Sequence, residues 1–164
     1  TALPKVVPLG NGALAANAVA LAKSLKLTST DIALNAMPLF HIGGIAASVL
    51  ASVAAGASLI CMDRFETGAF YEAIIRSRPT WFTAVPTMHL SLMMYGKQLG
   101  DKHGRGWHSL RFIRTGAAPL SESDAVSLSS FWGVDIVSTY SMTEQMPISS
   151  TMSQAKPGTV GNPL

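Results

Sequence analysis

Cysteine is nearly absent: Cys61 is the only one among 164 residues. A lone thiol builds no disulfide framework, and no Cys/His spacing suited to a metal occurs. Cys61 lies in the apolar run "ASLICM". It is expected to be a small buried hydrophobe, and such usage fits a reducing compartment. Charge is also scarce. Charged residues make up 13% of the chain, with Lys plus Arg at 12, Asp plus Glu at 9 and a net charge of +3. The one dense basic spot, "KHGR" (Lys102–Arg105), reads as a solvated loop, so no nucleic-acid footprint is present. No G-x-x-x-x-G-K-[ST] loop occurs. The start, "TALPKVVPLG", lacks both an initiator Met and the charged-then-apolar order of a signal peptide. The end, "GTVGNPL", stops on loop residues. Both ends are expected to be truncations of a longer chain.

One uncharged run, Gly43 to Met62, is long enough to raise a membrane span. It is rich in Ala, Ser and Gly rather than Leu, Ile and Phe, and Gly56 interrupts it. Its transfer energy is therefore weak. A buried helix over Gly44–Ala54 followed by a strand over Ala57–Met62 is the better expectation.

What the chain has is apolar substance: 48% hydrophobic residues and a mean hydropathy of +0.32. That supports one domain with a real core. The pattern alternates. A helix is expected over Asn11–Leu25, capped by Asn11, and a strand over Asp31–Pro38. After the run just described comes an amphipathic helix over Thr67–Arg76, stopped by Pro79. A strand over Thr80–Val85 is closed by Pro86, and a helix over Thr87–Tyr95 follows. Lys97–Trp107 reads as a loop and Ser109–Gly116 as a strand. Ser121–Phe131 reads as a helix whose Ser121 cap has Asp124 three residues on. "GVDIVSTY" is the last strand. Strand–helix alternation of this kind predicts a three-layer, mostly parallel α/β sheet flanked by helices.

In such sheets ligands bind beyond the carboxyl ends of strands. Here those ends lead into "PLFHIGG", "PTMH", "TGAAPLS" and "STYSMTEQ". His41 stands before Gly43-Gly44; a packed, hydrogen-bonded histidine is the plainer reading, and the glycines allow a ligand to approach the backbone. Thr115–Pro119 is a tight strand-to-helix turn that also forms a flat floor for a planar ligand. Trp81, Phe82, Val85 and Met88 read as core or as an apolar pocket wall. Lys5 suits phosphate as a point charge, although a surface lysine is the plainer reading. In "STYSMTEQ", Tyr140 offers a stacking face, Thr143 a hydroxyl for phosphate and Glu144 a hard oxygen for Mg²⁺. The plainer alternative is a capped turn into a helix.

Taken in order, these segments resemble the adenylate-forming superfamily of acyl-CoA synthetases, luciferases and peptide-synthetase adenylation domains. "TALPKVV" resembles the end of its phosphate loop, "MPLFHIGG" its Pro-x-x-His segment, and "TAVPT" and "TGAAPLS" its acyl-pocket and adenine segments. "STYSMTEQ" resembles Tyr-Gly-x-Thr-Glu, and "KPGTVGNPL" resembles Gly-x-x-Gly-x-Pro. Among subgroups the segments look most similar to oxalate–CoA ligase-type enzymes. The resemblance implies an ATP-dependent ligase for a small carboxylic acid, with Mg²⁺ and with CoA or carrier-protein phosphopantetheine as acceptor. It implies that Thr1 and Lys5 lie on the phosphate loop and His41 near the acyl group. Val85, Met88 and Gly116 would line the acid pocket. Gly116, Ala117 and Ala118 would contact adenine, Tyr140 would stack on it, Thr143 would hold the α-phosphate and Glu144 the metal.

The pattern departs from the family at Ala2 and Val6 in the phosphate loop and at Ser141, where the motif has glycine. The chain also stops before the family's ribose-binding aspartate and lysine-bearing C-terminal domain. The expectation is therefore one α/β subdomain over 1–164, part of a longer adenylating enzyme, inactive alone and intracellular, in the cytoplasm or an organelle such as the peroxisome. A degenerate, non-catalytic adenylation-fold module for binding or assembly is the alternative.

Overall fold

The computed structural model describes residues 5–100, 106–152 and 159–163. Thr1, Ala2, "KHGR" and the first part of "KPGTVGNPL" lie outside the described residues. Helix α1 (Asn11–Ser24) is followed by strand β1 (Ile32–Asn35). A continuous helical run comes next: α2 (Ile42–Gly44), a π-helical stretch (Ile45–Leu50) and α3 (Ala51–Ala54). Then come β2 (Ser58–Cys61), α4 (Thr67–Ser77), β3 (Trp81–Ala84), α5 (Pro86–Leu99) and β4 (Phe112–Thr115). The chain continues with α6 (Glu122–Trp132), β5 (Asp135–Met142), β6 (Gln145–Ser150) and β7 (Asn162–Pro163).

The sheet order is β2-β1-β3-β4-β5-β6-β7. Pairing is parallel from β2 through β5 and antiparallel from β5 to β7. Register sorts the core by alternation. Leu34, Phe82, Ile113 and Ile136 share one face, packed against α4, α5 and α6. Ala33, Trp81 and Phe112 share the other, which holds Leu25 of the α1 end and Val137 of β5. Trp81 stacks on Phe112 with ring centres 5.6 Å apart. Each such buried side chain contributes roughly 1.5–3 kcal/mol. Helices on both faces make the three layers expected.

Local chemistry sets most boundaries. Glu66 accepts from the amides of Gly68 and Ala69 and starts α4; Arg78, at φ 48, ends it ahead of Pro79. Pro86 does not close β3 but opens α5, where its missing N–H costs nothing. That helix runs on to Leu99, four residues past the expected end at Tyr95. Ser121 Oγ accepts from Asp124 N at 3.1 Å and donates to its carboxylate at 2.7 Å, the expected cap of α6.

Three expectations are corrected. The cap of α1 is Gly10, not Asn11, and it uses no side chain. Cys61 is exposed rather than buried, because β2 is an edge strand with β1 as its only strand partner among the described residues. "STYSMTEQ" is not a loop leading to a helix: its first residues continue β5, Thr143-Glu144 make the turn, and Met142 pairs with Gln145 across a hairpin. Among the described residues no helix is long and apolar enough to cross a membrane.

Candidate functional site

The strand order reverses at β1: β2 lies on one side of it and β3 on the other. The crossover into β2 packs its helical residues with α1, whereas α4 packs with α5. A crevice opens at such a switch point, beyond the carboxyl ends of the strands. The cavity found there has a volume of ≈ 170 Å³. Its walls come from the ends of four strands and from the helical run after β1. Met37 and His41–Gly43 follow β1; Thr83 and Ala84 close β3; Arg114, Gly116 and Ala117 close β4; Ser141–Thr143 and Met146 come from the β5–β6 hairpin.

His41 caps the helical run, its Nδ1 accepting from Gly43 N at 3.0 Å. That bond leaves the proton on Nε2, so the ring carries one donor at its far end. The side chain is exposed rather than packed. Glycine is required next to it: a Cβ on Gly44 would stand 2.2 Å from the Pro38 carbonyl oxygen. A π-helical stretch then widens the turn, a feature common beside functional sites. Ala117 takes φ 67, a left-handed conformation costing roughly 1–2 kcal/mol for a residue with a Cβ.

Beneath this surface Arg114 is buried at 3% exposure, and its Nη1 donates to Thr83 Oγ1 at 2.8 Å. Burial pushes its pKa down to about 10, still well above neutrality. His89 of α5 is fully buried and its Nε2 donates to the Arg114 carbonyl at 3.1 Å. Burial, partly offset by hydrogen bonds to backbone carbonyls, pushes its pKa down to about 4, so the ring is neutral. Neither residue was singled out from sequence. The sequence signal for Arg114 was no more than a charge inside the apolar run "SLRFIRTG", and its burial shows only in the structure; His89 had none beyond its place after a strand end.

The cavity brings together His41, Gly116, Ala117 and Thr143 of the sequence-predicted residues. The other described ones lie outside its walls, and Thr1 is not among the described residues. Met88 packs on the core under α4–α6 and Val85 is half-buried; methionines 37, 142 and 146 supply the apolar lining instead. Tyr140, 52% exposed, pairs with Ser149 on β6, while Glu144 is exposed at the hairpin turn beside Thr143. Ala118 is exposed next to Ala117, and Lys5 is exposed in the arm before α1. Among the described residues no cluster of three or more His, Cys, Asp or Glu side chains could cage a metal. A single outward carboxylate such as Glu144 fits a magnesium ion that keeps most of its coordination on phosphate and water.

Comparison with known proteins identifies the fold and the family. The chain is 33% identical, over its full length, to the oxalate–CoA ligase of Arabidopsis thaliana, of which it covers 33%. It is 31% identical to the sulfoacetate–CoA ligase of Cupriavidus necator over 88% of the chain and 27% of that relative. The chain thus spans about a third of the length of such relatives. O-succinylbenzoate coenzyme A synthetase from Bacillus subtilis, solved with ATP and magnesium ion, superposes at a TM-score of 0.76. That match has 31% identity and covers 94% of this chain and 31% of that one. The family model described as AMP-binding enzyme matches residues 1–164: the chain is a member of the AMP-binding enzyme family.

Proposed function

We propose that the chain is part of an ATP-dependent acid–thiol ligase. The acid's carboxylate attacks the α-phosphorus of ATP, giving an acyl-adenylate and pyrophosphate. A thiol of CoA, or of carrier-protein phosphopantetheine, then attacks the acyl carbon and AMP departs. The observation that supports this best is the convergence of His41, Gly116–Ala117 and Thr143 on one cavity at the β1/β3 switch point, in a chain of this family.

Each residue has a role its geometry suits. The Gly116–Ala117 turn gives a flat backbone floor without bulky side chains for a base and the bound acid. The Thr143 hydroxyl, exposed at the hairpin, donates to a phosphate oxygen. Glu144 holds the magnesium ion, which when bound offsets charge on the phosphate oxygens. Tyr140, exposed on the neighbouring strand, offers a ring face to adenine. His41 presents Nε2–H toward the acyl end, and Lys5 belongs to the phosphate-loop arm. The acid is proposed to be small, as the likeness of "MPLFHIGG" and "WFTAVPTMH" to oxalate–CoA ligase-type segments implies. The names of the oxalate and sulfoacetate relatives point the same way. Residues 1–164 form one subdomain that needs the remainder of the enzyme for turnover, and the unpaired Cys61 suits an intracellular, reducing setting.

The test is pyrophosphate release by the intact protein across a panel of carboxylic acids. The ligase reading expects release that requires acid, ATP and Mg²⁺ together. Nucleotide binding with no acid-dependent release would replace it with the non-catalytic module.

A further inference from the structure

Strand β4 reads Phe-Ile-Arg-Thr, and every one of its residues is buried. Phe112 and Ile113 obey the pattern by packing on opposite faces. Arg114 breaks it. Its registered neighbours are Thr83 on β3 and Val137 on β5, and neither carries charge. The single ion pair among the described residues is Arg111 with Asp31, so none of the described carboxylates compensates Arg114. Its Nη1 has Thr83, while Nε is wholly buried with no hydrogen-bond partner. An uncompensated buried cation is among the costlier groups a fold can keep. This one is also held in place: His89 fixes the backbone at its carbonyl, and the guanidinium lies under Gly116, 3.4 Å from where a Cβ would stand.

The same residue lines the cavity, among Met37, Ile42, Met142 and Met146. Burial of the guanidinium lowers the dielectric around it and strengthens any charge pair it forms. The missing partner is therefore an anion that arrives with the ligand. A reacting carboxylate is a poor candidate, since a forked arginine engages the lone pairs needed for attack on phosphorus. The ATP phosphates already have partners in the proposed site, Thr143 on another wall of the same cavity and Glu144 at the exposed hairpin turn, which leaves the guanidinium beneath Gly116 for the acid. We propose that Arg114 binds a second, non-reacting anionic group of the acid substrate, a carboxylate or sulfonate, and so selects small dianionic acids over monoanionic ones. The proposal rests on the ligase reading for its substrate and deepens it.

The experiment compares paired acids of equal chain length, malonate with propionate and succinate with butyrate, on the intact enzyme and its Arg114→Met and Arg114→Lys variants. Wild type is expected to prefer the diacid of each pair. Arg114→Met should cut kcat/KM for the diacid about 10²-fold more than for the monoacid, through KM for the acid rather than KM for ATP, so that the preference for the diacid collapses. Arg114→Lys keeps the charge without the fork and should fall between them. Equal loss on diacid and monoacid, or a rise confined to KM for ATP, would overturn the proposal. Thermal melting with malonate or propionate, without ATP, separates this from the ligase reading. Malonate alone should raise the wild-type midpoint and leave that of Arg114→Met unmoved. An enzyme inactive with every acid but protected by malonate loses the ligase reading and keeps the anion site. Absence of protection in an inactive enzyme removes both.

Discussion

Arg111 just precedes strand β4 and Arg114 lies near its far end, and the two charges are treated in opposite ways. Arg111 donates through Nε and Nη2 to the two carboxylate oxygens of Asp31, each at 2.8 Å. Asp31 also accepts from Thr80 Oγ1 at 2.6 Å and from Thr28 N at 2.9 Å. Thus the starts of β1, β3 and β4 are clamped around one buried carboxylate. Arg114, at the other end of β4, has one side-chain partner and no carboxylate among the described residues. One rim of the sheet satisfies its charges internally and holds the strands in register. The other leaves donors open, keeps a strained Ala117 and bends its helix through a π-helical stretch. Unsatisfied groups and strain persist where a ligand repays them.

Several changes would break or sharpen that contrast. Asp31→Ala should cost the most, about 3 kcal/mol, since it strips the clamp of its shared acceptor while Arg111 stays partly solvated. Denaturant titration of the intact protein measures it. Acid should cost a similar amount by another route. His89 is neutral in the fold with its pKa at about 4, against an unfolded value near ~6.5. The unfolded chain therefore takes up a proton first. Stability from this group is complete above pH ~6.5, falls as pH drops toward ~4 and totals about 3 kcal/mol. Asp31 works in a lower window. Burial raises its pKa, but the bonds from Arg111, Thr80 and Thr28 outweigh that and hold it below the ordinary carboxylate value, so its share is lost only at more acid pH. Melting midpoints of wild type and His89→Gln should converge as pH falls from 7 to 4.5 if the first window belongs to His89.

Gly44→Ala drives a Cβ to within 2.2 Å of the Pro38 carbonyl oxygen and should cost about 2 kcal/mol, with the His41 cap displaced. Calorimetry gives the first number, and the histidine ring signals in NMR report the second. The smallest effect is a gain. Ala117→Gly relieves the positive φ and should stabilise by up to about 1 kcal/mol, as read from the midpoint of a denaturant curve.

The fold was legible because its layers are written in alternation. Apolar strands followed by helices with Gly and Pro punctuation predict a parallel sheet, and β1 to β5 form one. The end of that series was not. "STYSMTEQ" is rich in hydroxyls and reads as a loop, yet Thr and Tyr are good strand residues, and Thr143-Glu144 turns the chain without the Gly or Asn that usually marks a hairpin. The π-helical stretch has no sequence signature in an Ala-rich run. For the candidate site, strand-end loops pointed to the rim where the cavity lies, and His41, Gly116, Ala117 and Thr143 meet there. Arg114 escaped notice because an arginine after "FI" looks like a strand's exposed end. Only the register with Thr83 and Val137 places it inside.

The division of labour between the two rims is tested most directly by carboxylate-dependent ATP–pyrophosphate exchange in the intact enzyme. Glu144→Gln and Asp31→Asn would be compared well below both melting midpoints. The account predicts that Glu144→Gln lowers exchange by about 10²-fold or more, through loss of the proposed magnesium ligand, while Asp31→Asn changes it less than about twofold. Exchange that survives Glu144→Gln but collapses in Asp31→Asn would contradict it.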